Sequence, residues 1–315
     1  MIIFLLTFQQ TGIPQDFPKK PITILVPMPA GGPSDMTARV LAEIAKEFLG
    51  QPVVVVNKPG GGQIIAQTLV AKEKPDGYTL AVTSIPALVT VPQMREVAFD
   101  PLKDFEYILI HMSFAGGIIC RSDKPWRSMK DLIAYSRQNP DQVTYATVGT
   151  GTAPLIAGAF IEAKENIKWR MIPYDGSAQV IPAVLGGHAD LGLADIALYI
   201  SHVKTGELRL LAVEKMGKEK YFPNVITSTF EELGYEVRVG ATFGILAPKG
   251  TPADVVKKLH DTFKRAIEDP RYEEQCEKLG VLKTYQSGEQ FFKNIKNEYE
   301  TRGNVLRKLG LAKKK

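Results

Sequence analysis

Short apolar runs alternate along this chain with glycine-rich turns and longer amphipathic stretches. The run Ile22-Thr-Ile-Leu-Val-Pro27 is apolar and β-branched and predicts a buried strand. Pro29-Ala-Gly-Gly-Pro-Ser-Asp35 follows, then a helical pattern to about residue 48. A second strand at 53–56 leads through Asn57-Lys-Pro-Gly-Gly-Gly62 to a helix ending near 72, and a third strand is predicted at 79–83. The order then recurs. A strand at 143–148 leads through Gly149-Thr-Gly-Thr152 to a helix ending near 163, and a strand at 169–172 leads through Pro173-Tyr-Asp-Gly-Ser177 to a helix ending at 185. A further strand is predicted at 191–195.

Strands alternating with helices predict βαβ units and parallel-rich sheets, here in two copies. Two α/β lobes follow. The segments 105–120 and 238–248 read as crossings between them, which makes a hinged clamp. The tail is helical at 252–267 and 290–309, and Val255, Val256, Leu259, Phe263 and Ile267 recur at core-facing spacing. In open α/β sheets ligands lie beyond the carboxyl ends of the strands, where both glycine loops would sit.

The first loop carries the chemistry. Gly31 and Gly32 permit a tight turn and close backbone approach, and Pro33 suits the first helical position, making Gly32 the cap. The unpartnered N–H groups of such a helix start can hold an anion without Lys or Arg. Asp35, in the first turn, would repel a ligand carboxylate directly, so its expected role is to orient backbone or water.

Composition narrows the classes. The chain has 315 residues, 44% hydrophobic and 23% charged, with a formal net charge of +5 from scattered Lys and Arg. No basic stripe or nucleic-acid module is present, so no nucleic-acid partner is expected. Cys120 and Cys276 lack metal-ligand spacing, the four histidines form no zinc motif, no Gly-x-Ser-x-Gly elbow occurs, and Gly60–Gly62 lacks the Lys-Ser/Thr ending of a P-loop. Neither an enzyme nor a cofactor is expected. The apolar start Met1-Ile-Ile-Phe-Leu-Leu-Thr-Phe8 reads as a signal-peptide remnant over residues 1–16, too short to span a bilayer.

The chain resembles the Bug family of extracytoplasmic solute-binding proteins, which serve tripartite tricarboxylate transporters. The resemblance rests on Val26-Pro-Met-Pro-Ala-Gly-Gly-Pro-Ser-Asp35, Gly50-Gln-Pro-Val-Val-Val-Val-Asn-Lys-Pro-Gly60, Pro75-Asp-Gly-Tyr-Thr-Leu80, Gly149-Thr-Gly-Thr152, Leu185-Gly-Gly-His-Ala-Asp190 and Phe243-Gly-Ile-Leu-Ala-Pro-Lys-Gly-Thr-Pro252, in that order. It implies a two-lobed periplasmic binding protein of type II-like, Venus flytrap form, with residues 17–112 plus 240–315 as one lobe and 113–239 as the other. It also implies capture of a small carboxylate, a di- or tricarboxylate or an aromatic acid, in the periplasm or another extracytoplasmic space, by a monomer that docks on membrane permease subunits. A ligand sensor of the same fold is the alternative. The implied ligand-binding residues are Pro29, Ala30, Gly31, Gly32, Ser34 and Asp35 in the first loop, Thr83 and Ser84 at the third strand, Gly149, Thr150, Gly151, Thr152 and Ala153 in the second loop, and Tyr174 and Asp195. Met28, Pro29, Gln63, Ala66 and Asp175 depart from the family pattern, so no particular ligand carries over.

Overall fold

The computed structural model describes residues 17–148, 152–174, 179–308 and 310–313. The 1–16 run read as a signal remnant lies outside them. Along the first half run β1 (Ile22–Val26), α1 (Pro33–Leu49), β2 (Val53–Asn57), α2 (Ile64–Val70), β3 (Thr79–Ser84), α3 (Ile85–Val89), α4 (Val91–Met94) and β4 (Phe105–Ser113). The middle holds β5 (Gly116–Arg121), α5 (Met129–Gln138), β6 (Thr144–Val148), α6 (Ala153–Glu165), β7 (Arg170–Tyr174), α7 (Val180–Leu185), β8 (Leu191–Asp195), α8 (Ile196–Lys204), β9 (Leu208–Val213), α9 (Lys215–Tyr221) and β10 (Ser228–Thr229). The chain closes with β11 (Thr242–Pro248), α10 (Ala253–Glu268), α11 (Pro270–Lys278), β12 (Leu282–Ser287) and α12 (Gly288–Lys308).

These elements form two six-stranded sheets, ordered β12-β4-β11-β3-β1-β2 and β10-β9-β5-β8-β6-β7. Each sheet centres one lobe. In the first, β1 pairs in parallel with β2 and β3, and β11 enters antiparallel beside β3. The second repeats the plan: β6 pairs in parallel with β7 and β8, and β5 enters antiparallel beside β8. Both faces of β1 are covered, so Ile22, Ile24, Leu25 and Val26 are all buried, and the strand is a continuous apolar run rather than an alternating one. α1 buries Ala38, Leu41, Ala42, Ile44, Ala45 and Leu49, and α10 buries Val255, Leu259, Phe263, Ala266 and Ile267. Both helices feed the core on one side of the first sheet.

The chain crosses between lobes at Phe114–Ala115 and returns just before β11. The two crossings are tied by Phe114 N–H donating to Ala241 O at 2.8 Å. They touch closely: a Cβ on Gly240 would stand 2.1 Å from the Phe114 carbonyl oxygen. The C-terminal part is less confined to one lobe than the division at residue 240 expects. Leu306 of α12 packs on Leu155 and Ile156 of α6, and Tyr221 Oη donates to Val281 O at 3.2 Å. Among the described residues no helix is long and apolar enough to cross a membrane.

Candidate functional site

The first glycine loop is shaped by side chains beneath it. Gly32 caps α1 with extended backbone, and Pro33 is the first helical residue. Gly31 has φ +85°, a left-handed conformation that costs any L side chain. Its N–H donates to Asp35 Oδ2 at 2.9 Å. Asp35 also accepts from Arg39 Nε at 3.0 Å and from Asn57 Nδ2 at 2.8 Å, and the same Asn57 amide reaches Met28 O at 3.0 Å. Burial opposes the charge on Asp35, but these hydrogen bonds outweigh it and hold the carboxyl below its ordinary range. Asp35 therefore fixes the loop while its own charge is spent on Arg39, Asn57 and the Gly31 amide.

A cavity of about 620 Å³ opens above this loop, between the lobes. Gly32, Ser84, Thr152 and Asp195 line it, and they are the N-caps of α1, α3, α6 and α8. The repeated βαβ plan explains the convergence: β1 and β3 end at α1 and α3 in one lobe, and β6 and β8 end toward α6 and α8 in the other. Each helix start carries partial positive charge on N–H groups that have no intrahelical acceptor. The rest of the wall is largely apolar, from Met28, Pro29, Val91, Phe114, Val239 and Phe243. Ser84 Oγ donates to Gln63 Oε1 at 2.8 Å, which anchors the turn leading into α2.

Asp195 is the one charged side chain among the described residues that line this cavity. Burial, with the nearby charge of Glu214 added, pushes its carboxyl up to about 7. Glu214 lies just past β9 and is 7% exposed. Its Oε1 accepts from Val239 N–H at 2.9 Å and Gly240 N–H at 2.7 Å, so it clasps the returning crossing from the second lobe. Burial pushes Glu214 up to about 7 as well, against the opposing pull of Arg238 and these amides. A second cavity, of about 540 Å³, lies between α6, residues 231–238 and α12. Glu231, Glu236 and Glu298 line it together with Arg238 and Arg302.

The cavity brings together Pro29, Ala30, Gly32, Ser34, Ser84, Thr152, Ala153 and Asp195 of the residues expected from sequence. Four others stand elsewhere. Gly31 and Asp35 shape the loop without lining the cavity. Thr83, expected to face the cleft, is fully buried under α2 and accepts from Gln67 Nε2 at 2.8 Å. Strand alternation turns it to the opposite side from its neighbour. Tyr174 ends the edge strand β7 and packs against the second lobe's core. Gly149, Thr150 and Gly151 lie outside the described residues. Sequence reasoning missed Asn57, Arg39 and Glu214. The Asp35–Arg39 spacing of one helical turn was the available signal for Arg39. A glutamate closing the apolar run 208–213 was the signal for Glu214.

The profile of the tripartite tricarboxylate transporter family receptor, TctC, matches residues 37–311. The chain belongs to this family. Among TctC and Bug relatives, a Cupriavidus necator protein named for its place in the gbd 5′ region is 35% identical over 297 residues, covering 94% of this chain and 90% of its own length. BugT of Bordetella pertussis is 30% identical over 301 residues, covering 93% and 90%. A ligand-free TctC solute-binding protein from Polaromonas superposes with TM-score 0.85 at 28% identity, covering 93% of this chain and 99% of that one. The TctC-type fold, two lobes around a cleft, is thus common to this chain and solved periplasmic binding proteins.

Proposed function

We propose that this TctC-family protein captures a small carboxylate between its lobes, in the periplasm, and presents it to the membrane permease of a tripartite tricarboxylate transporter. The observation that carries this reading is the convergence of four helix N-termini on one inter-lobe cavity. Several amide dipoles share the anion's charge there, and the low dielectric of a closed cleft strengthens each hydrogen bond. A Rhodopseudomonas palustris protein of the same fold, 24% identical with TM-score 0.72, holds malate, which fits the same class of ligand.

In this reading Gly32 and Ser34 from one lobe and Thr152 and Ala153 from the other grip the carboxylate, while Ser84 caps α3 and holds Gln63 at the cavity wall. The lobes 17–112 with 240–315 and 113–239 close by rotation about the crossings at 114–115 and 238–241, and the closed monomer docks on the permease. The protein binds its ligand unchanged. Thermal-shift screening against mono-, di- and tricarboxylates tests the reading. At least one acid should raise the melting temperature of the wild type and leave that of Gly31→Val unmoved. A folded wild type that no acid stabilises would refute it.

A further inference from the structure

The second cavity, of about 540 Å³, lies beside the returning crossing and apart from the cleft. Val239 lines the cavity between the lobes, while its neighbour Arg238 lines the second one, and the two cavities share no lining residue among those described. α12 forms one wall of the second cavity, and α6 with the 231–238 segment forms the wall facing it.

Arg302, on α12, is 5% exposed. Its Nε donates to Glu298 Oε2 at 2.5 Å, one helical turn away. Its Nη1 is buried without a hydrogen-bond partner. A buried N–H that lacks an acceptor is costly, and a guanidinium cannot shed its proton to escape the cost. This corner therefore calls for an acceptor. Arg238 stands near it, since Arg238, Asn297 and Glu298 meet again in a small neighbouring cavity, where the Arg238 Nη1 donates to Thr242 Oγ1 at 3.3 Å.

The facing wall has the opposite need. Glu231 and Glu236 line it and are exposed. Lys164, next to Gly234, donates to the Gly234 carbonyl. A simple anion would meet Arg302 but face both glutamates across the cavity. A simple cation would satisfy the glutamates and leave Arg302 Nη1 unanswered. A ligand that carries both charges suits both walls. Ile156, Phe160, Val237 and Val305 supply apolar lining, which suits an apolar link between the charges.

We propose that this second cavity binds a zwitterion whose carboxylate and amine are separated by an apolar or aromatic spacer, with the carboxylate on Arg302 and Arg238 and the ammonium on Glu231 and Glu236. Binding here does not depend on the cleft.

Isothermal titration at pH 7 with 4-(aminomethyl)benzoate and 6-aminohexanoate tests this, each beside its single-charge analogues: 4-methylbenzoate and benzylamine for the first, hexanoate and hexylamine for the second. At least one zwitterion should bind the wild type at least about 10-fold more tightly than either of its analogues. Gly31→Val, altered in the first glycine loop, should bind that zwitterion as the wild type does. Arg302→Met, checked for fold by circular dichroism and melting temperature, should weaken it at least about 10-fold. Glu231→Gln, at an exposed position where the fold is safe, should also weaken the zwitterion and leave the carboxylate analogue unchanged. A zwitterion lost in Gly31→Val occupies the cleft instead and overturns the inference. An affinity that folded Arg302→Met or Glu231→Gln leaves unchanged overturns it too, as does binding of neither zwitterion. None of these outcomes bears on the carboxylate screen that tests the carrier reading.

Discussion

Replacing Glu214 by Gln should reshape the pH dependence of stability. Glu214 and Asp195 are both pushed up to about 7, each mainly by burial. In the unfolded chain both are ionised well below pH 6. Their raised folded values give a stability contribution present at low pH and lost as pH rises through 7. Two protons released by the folded state between pH 6 and 8 remove about 3 kcal/mol. His111 works the other way: full burial holds it down to about 3, so the folded state gains on the unfolded as pH rises. Its share over the same interval is about 1 kcal/mol, leaving a net fall of about 2 kcal/mol for the wild type. Glu214→Gln keeps an oxygen for the Val239 and Gly240 amides, deletes one titration and removes the charge that raises Asp195. The fall should then drop below about 1 kcal/mol, and the variant should match or exceed the wild type at pH 8. Urea unfolding at pH 6, 7 and 8 reads this through Trp126 and Trp169, both buried in the second lobe's core. Parallel curves for the two proteins would refute the reasoning, since Glu214 would then titrate alike in both states.

Asp35→Ala frees the Gly31 amide and the Asn57 side chain that shape the first loop. It should cost about 1–3 kcal/mol in chemical unfolding and weaken carboxylate binding at least about 10-fold by titration calorimetry. Gly31→Ala meets no atom within 4 Å of its Cβ, so its stability cost is the conformational penalty of the left-handed backbone, about 1–2 kcal/mol by urea midpoint. Leu41→Ala, fully buried under the first sheet, should cost about 2–5 kcal/mol and leave the affinity of the remaining folded protein unchanged.

The recurring strand–loop–helix order is a local property, and the chain writes it plainly. Ile22–Val26 and Leu191–Asp195 are apolar runs bounded by turn residues, and the periodicity of Val255, Leu259 and Phe263 marks a buried helix face. The parallel units β1-β2-β3 and β6-β7-β8, the glycine loop at the start of α1 and the cap at Gly32 follow from that pattern, whereas the antiparallel β4, β11 and β12 that make the first sheet mixed do not. Short elements escaped it: α3 spans five residues, and β12 joins the first sheet's edge only by pairing with β4 across a large sequence separation. The side on which a residue at a strand's end finally points also escaped it. Thr83 and Ser84 are neighbours in sequence, and only the pairing of β3 within its sheet sends one under α2 and the other into the cavity. Charge is the deepest case. Glu214 looks like an ordinary surface acid in sequence, and Asp195, expected at the cleft, gives no sign there of its raised carboxyl, because solvation and repulsion depend on what the whole fold places around a group. The sequence by itself determined the repeated architecture, through periodicity and turn chemistry acting over a few residues. Only the tertiary structure decided that four helix starts meet at one cavity, that Asp195 is the one charged side chain among the described residues lining it and that Glu214 holds the returning crossing. Those facts arise from contacts between segments far apart in the chain, which no local pattern encodes.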